Sequence, residues 1–193
     1  MQLDRNLVIV DVETTGVDPE TASVIQLGAV VFGRDGYLVD RSFMTYIQPY
    51  RQSWSIKAQK VHGFTREFLT ENGQGVGSAL GKFENWLKLK PEHECDSLYV
   101  GQWGCGFDTD CLRSAYEFIG IRYPFSYRSY DIASFVRLYL ASQNMLDTDC
   151  KNGEVDCAKK LGIEADHKEA HDGLYDARLS GLMLQEVMQR CGS

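Results

Sequence analysis

The chain has 193 residues, 44% hydrophobic and 24% charged, which is enough apolar material for one compact domain across 1–193 and argues against disorder. Its net charge of −7, from 20 basic against 27 acidic residues, excludes a global positive field, so any nucleic-acid contact must be local. The longest apolar runs, 7–10 and 29–32, fall far short of the ~20 residues of a membrane span. The first residues enter a strand-like run directly, without the charged, apolar and small-residue sections of a secretory signal. Six cysteines without a Cys-x-x-Cys pair read as reduced, mostly buried thiols. A cytoplasmic (intracellular) protein with no membrane association is the expectation.

Residues 6–12 are nearly all β-branched or Leu before the acids begin, the pattern of a central strand covered on both faces. A second strand spans 22–32, and Arg34-Asp35-Gly36 is a tight-turn signal before a third at 37–47, so an antiparallel meander opens the chain. Helical periods follow at 56–62, 65–71 and 79–89, the last with Leu80, Phe83, Trp86 and Leu87 on one stripe. Then come a short strand at 97–102, a helix at 111–119, a brief strand near Tyr130 and a helix at 132–141. A polar loop at 143–153 precedes a short helix at 154–161 and a long one at 174–189. Three strands followed by alternating α and β elements predict an α/β fold, a mixed sheet with helices on its faces.

Asp11 and Glu13 stand at i and i+2 at the end of the first strand, so they project from one face, ~6 to 7 Å apart. They are either solvated acids before the Thr14-Thr15-Gly16 turn or oxygen ligands for a hard divalent ion, at the strand end where α/β sheets bind ligands.

Val8-Ile9-Val10-Asp11-Val12-Glu13-Thr14-Thr15-Gly16 resembles the first motif of the DEDDh 3′-to-5′ exonucleases, a DnaQ-like and RNase T-like group with an RNase H-like fold. Residues 24–30 are similar to its second strand, with Gln26 where the family often has Glu. Gly106-Phe107-Asp108-Thr109-Asp110-Cys111-Leu112 resembles the second motif; Asp110 is a rival there, and Asp108 is preferred because it follows Phe107. Trp103-Gly104 departs from the His-Asn of proofreaders and looks more like RNA-trimming members. His171-Asp172-Gly173-Leu174-Tyr175-Asp176-Ala177 fits the third motif, His-x4-Asp. On one helix those two side chains would point ~140° apart, so His171 must precede the helix, with Asp172 as its N-cap.

The resemblance covers about residues 6–190 and implies a 3′-to-5′ exonuclease releasing nucleoside 5′-monophosphates from single-stranded DNA or RNA 3′ ends. It implies that Asp11, Glu13, Asp108 and Asp176 hold two divalent cations, Mg²⁺ or Mn²⁺, with His171 as general base. It also implies substrate contacts at Thr14, Thr15, Gly16, His62, Phe64 and Phe107, and a polymerase or homodimer partner is one option. Segment 41–66 carries Arg41, Arg51, Lys57, Lys60 and Arg66 and no acid, interleaved with Tyr46, Tyr50 and Trp54. That is the composition of a strand-tracking surface, with Lys57, Lys60 and Arg66 as leading contacts.

Three rivals use the same residues. Cys150, Cys157, His167 and His171 could be drawn as a zinc site, although Cys-x6-Cys lies outside finger spacing. Asp11 followed by Thr14 and Thr15 superficially resembles an aspartate-nucleophile phosphatase, which lacks the His171-x4-Asp176 element. A non-catalytic nucleic-acid-binding module on the same fold is the third.

Overall fold

The computed structural model describes residues 2–88, 98–147 and 152–192. Its centre is β1 (Leu7–Thr14), whose period-2 alternation sends Val8, Val10 and Val12 to one face and Leu7 and Ile9 to the other, both covered. β2 (Val24–Phe32) pairs antiparallel with β1, and β3 (Leu38–Tyr46) antiparallel with β2. β4 (Leu98–Gln102) lies parallel to β1 on its other side and β5 (Phe125–Asp131) parallel to β4, giving the order β3-β2-β1-β4-β5. The chain therefore leaves β1 in one direction and returns on the other, and the β1/β4 crevice is the switch point where α/β sheets bind ligands.

Helices α1 (Ile56–His62), α2 (Arg66–Asn72) and α3 (Val76–Lys88) follow β3, and α4 (Phe107–Phe118) follows β4. α5 (Ile132–Ser142), α6 (Glu154–Lys160) and α7 (Gly173–Gly192) complete the chain. One core, on the Val8/Val10/Val12 face, takes Leu80, Phe83 and Trp86 from α3 with Leu112, Ala115 and Tyr116 from α4. The other takes Ile132 and Val136 from α5, Cys157 from α6 and Met183 and Val187 from α7. The mixed, helix-flanked sheet agrees with the sequence reading.

Four expectations need correction. α3 begins at Val76, not residue 79. α4 begins at Phe107, not residue 111, because its first turn is the polar Asp-Thr-Asp run, which favours a helix N-terminus yet carries no apolar period. β5 runs for seven residues; as an edge strand with residues 127–129 exposed, it shows little alternation. Among the described cysteines Cys111 and Cys157 are buried but Cys105 and Cys191 are exposed, one in the turn before α4 and one in the last turn of α7. Residues 89, 97 and 148–151 of the expected elements lie outside the described residues.

Candidate active site

Asp11 and Glu13 continue the Leu7/Ile9 face of β1 beyond the point where apolar residues stop. β4 pairs with β1 only from Leu7 to Ile9, so farther along that edge the Val12 N–H has no strand partner. The Asp108 carboxylate takes its place, Oδ1 accepting from Val12 N at 3.2 Å. Asp108 is buried in the first turn of α4, while Asp110 is exposed on the far side of that turn.

Two buried glutamines set the helices that deliver the acids. Gln102, at the end of β4, accepts the Thr109 N–H through Oε1 at 2.9 Å, capping α4 where Gly106 has no side chain to do so. Gln26, fully buried in β2, accepts the Gly173 N–H at 2.8 Å and donates to Asp172 Oδ2 at 2.9 Å, pinning the start of α7 against the sheet. The approach is so close that a Cβ at Gly28 would lie 2.1 Å from the Gly173 backbone. Gln102 was not singled out from the sequence, and no role was given to Gln26; the available signal is a polar amide inside an otherwise apolar strand, which burial obliges to find partners.

Asp172 caps α7, its Oδ1 accepting from Leu174 N (3.1 Å) and Tyr175 N (3.0 Å). His171 stands just before the helix with φ 70°, a left-handed conformation uncommon outside glycine. That turn brings its backbone N–H to Asp176 Oδ2 at 2.7 Å and its Nδ1 to 4.0 Å from Glu13 Oε1. One ligand atom each of Glu13, His171 and Asp176 lies within 4.8 Å of the others. Asp11 and Asp108 fall outside that group but within its field.

Burial first, then Asp176 and Asp108, pushes Glu13 up to about 8. Burial raises Asp108 to about 7 and Asp176 to about 6, the latter held back by the His171 N–H. Asp11 is raised well above the carboxylate range by burial and by Asp108, Asp176 and Glu13. Carboxylate oxygens crowded in this way, with no buried cation to answer them among the described residues, are a donor set suited to hard divalent ions.

The remaining candidates divide. The Thr14 hydroxyl donates to Gly16 O (2.6 Å) and the Thr15 hydroxyl accepts from Ser23 N (2.8 Å), so both side chains are occupied within the turn at 14–16. Phe107 is 39% exposed beside Asp108. His62 ends α1 with Gly63 as left-handed cap, and its ring stacks on half-buried Phe64 at 5.3 Å. Its Nδ1 accepts the Phe64 N–H, which leaves the proton on Nε2, and that Nε2 is buried without a partner among the described residues. Burial, then His171, lowers His62 to about 4.

The basic segment 41–66 is not a continuous surface. Arg51 donates to the carbonyls of Pro19, Ala22 and Ser114, and Arg41 lies over the Trp86 ring at 4.8 Å. Arg66 reaches Gln52 O, whereas Lys57 and Lys60 are exposed with no ion pair among the described residues. The zinc rival does not assemble among the described residues: Cys157 donates to Asn152 O and His167 Nε2 lies 3.5 Å from Asp156, while Cys150 is outside the described residues.

The RNase T family model, described as an exonuclease, matches residues 8–184. The chain is 24% identical to the 3′-5′ DNA exonuclease Cap18 of Escherichia coli over 184 residues, 95% of this chain and 94% of that protein. It is 26% identical to ribonuclease T of Haemophilus influenzae over 180 residues, 88% of this chain and 73% of that protein. The fold superposes with TM-score 0.74 on the nuclease domain of 3′hExo, a DEDDh family member bound to rAMP, at 19% identity over 96% of this chain and 92% of that one.

Proposed function

The chain belongs to the RNase T exonuclease family, and we propose that its active site is the carboxylate cluster at the carboxyl ends of β1 and β4. It is a 3′-to-5′ exonuclease that hydrolyses phosphodiester bonds, with a divalent-metal requirement general to the family. In our reading Asp11, Glu13, Asp108 and Asp176 hold two ions, Mg²⁺ or Mn²⁺, and residues 1–193 act as one domain. When bound, the ions supply an activated water and charge stabilisation at the leaving 3′ oxygen.

The observation that carries the assignment is the turn at His171, which folds the His-x4-Asp motif onto the Asp-x-Glu strand end. His171, with a side chain 53% exposed, stands where its imidazole can take a proton from an attacking water. Glu13, 4.0 Å away, would stabilise the imidazolium that results. The His62 Nε2–H is a buried donor awaiting an acceptor, and a non-bridging phosphate oxygen or the 3′-hydroxyl of the terminal nucleotide supplies one. Phe64 and Phe107 would flank the terminal base and sugar, and the turn at Thr14, Thr15 and Gly16 would shape the pocket floor.

The test is digestion of matched single-stranded DNA and RNA, labelled at the 5′ end, with Mg²⁺ and Mn²⁺ in turn, which also reports the preferred sugar. His171→Ala should lower the rate by ~10² to 10⁴ while metal affinity, read by calorimetry, persists. Loss of metal affinity equal to that of Asp176→Ala would make His171 a ligand instead. A phosphoaspartate trapped at Asp11 would favour phosphatase chemistry.

A further inference from the structure

We infer that Glu154 is a fifth carboxylate of this centre, holding the hydration shell of the bound divalent ions from the α6 side without coordinating them directly; the inference rests on the site assignment above. Glu154 opens α6, and its Oε1 accepts the Ser180 hydroxyl at 2.7 Å. Ser180 is buried four residues beyond Asp176 on α7, so the two lie on the same helical face one turn apart. That bond fixes the Glu154 carboxylate along the flank of the cleft that Asp176 enters. Its Oε2 makes no hydrogen bond among the described residues.

The acids acting on that carboxylate are those of the site. Asp176 and Asp108 both act on Glu154, and Glu154 in turn acts on Asp11. Arg137 is the cation in reach, but its guanidinium donates to Asn152 O at 3.1 Å and lies 5.3 Å over the Trp103 ring, with no ion pair to Glu154. The Ser180 hydrogen bond would be made equally well by glutamine, so it does not account for the charge. Burial first, and then Asp176 and Asp108, push Glu154 up to about 8, so ionising it beside the other four carboxylates costs the folded protein stability, and a cation from outside offsets that cost. With Oε1 taken by the Ser180 hydroxyl and four other carboxylates already assigned to the two ions, the contact given to Glu154 runs through metal-bound water.

The experiment is calorimetric titration of Mn²⁺ alone, with no nucleic acid, into wild type, Glu154→Gln, Asp156→Asn and Asp176→Asn at fixed ionic strength and pH 8. Asp156 controls for bulk charge: it lies on the same helix but faces His167, 3.5 Å away. Glu154→Gln keeps the acceptor for Ser180 and should bind Mn²⁺ about 10-fold more weakly, with an apo melting temperature at or above wild type. Asp156→Asn should stay within about twofold of wild type. Unchanged Mn²⁺ affinity in Glu154→Gln, or an equal loss in Asp156→Asn, overturns the role given to Glu154. Unchanged affinity in Asp176→Asn instead overturns the site assignment beneath it.

Discussion

Two regions on opposite sides of the turn at 14–16 treat charge in opposite ways. At the end of β1, Asp11, Glu13, Asp108 and Asp176 face one another with few donors, and burial and repulsion raise all four. Behind the turn, Arg51 is half-buried, but it donates to three carbonyls and to the Ser114 hydroxyl (3.0 Å). Its own N–H is taken by Ser23 Oγ at 2.8 Å, and its guanidinium lies 5.3 Å from the Tyr50 and Phe118 ring centres. The comparison teaches that a charge the fold answers fully belongs to the scaffold, and that a set of charges the fold leaves unanswered is where a ligand is to be sought.

The largest effect should come from changing the unanswered side. Asp108→Asn keeps an oxygen for the Val12 N–H but removes a charge, so it should lower turnover by about 10³-fold or more at saturating Mg²⁺. Without metal at pH 8, where Asp108 and Asp176 are ionised, the same variant should melt no lower than wild type, since two unit charges about 5 Å apart at an effective dielectric of 20 repel by about 3 kcal/mol. The pH dependence has the same origin. Glu13, Asp108 and Asp176 hold protons in the folded state up to about 8, 7 and 6, whereas an unfolded chain releases them near the ordinary carboxylate values. Between those limits the folded state binds more protons, so in EDTA stability should fall as pH rises from about 4 to about 8 and then level off. Melting curves across that range, with and without Mn²⁺, read this directly; a flat apo profile would mean that the carboxylates do not repel.

On the answered side the signature reverses. Arg51→Ala leaves the carbonyls of Pro19, Ala22 and Ser114 without their donor, and should cost about 2 to 3 kcal/mol in urea unfolding whether or not metal is present. Per folded molecule, turnover should change far less than in Asp108→Asn. A loss of single-strand affinity with stability intact would instead return Arg51 to the binding surface.

The same contrast explains what the sequence could carry. β1, the meander, α1 with its Gly63 cap and the placement of His171 before α7 were legible because their signals are local: a period, a turn, a cap within a few residues. The ordered motifs pointed to the four acids for the same reason. The supports were not legible. Gln26 meets Asp172 across 146 positions, Arg51 meets Ser114 across 63, and Glu154 meets Ser180 across 26, and no periodicity marks which polar residue will close such a distance. The start of α4 was hidden for a different reason, since a helix whose first turn carries Asp108, Thr109 and Asp110 has no apolar stripe there.

The smallest effect concerns the charges that neither side uses. With Arg41 over Trp86, Arg51 among carbonyls and Arg66 on Gln52 O, the basic segment keeps Lys57 and Lys60 on the outer surface of α1, the helix that ends at His62. An acidic chain can hold an anionic strand only through such a local patch. Each phosphate contact releases counterions, so the Lys57→Ala, Lys60→Ala double variant should flatten the salt dependence of single-strand affinity by about 0.7 per lysine, about 1.4 in all. The measurement is binding across a salt series in Ca²⁺, which suppresses cleavage. The change should be independent of base sequence, and turnover of a saturating short substrate should stay near wild type, because these lysines would position the strand and take no part in the chemistry. Equal slopes would make both lysines a solvated face. Strand contact would then shift to Arg113, Arg122 and Arg128, of which Arg113, midway along α4, lies over the Tyr123 ring at 4.6 Å.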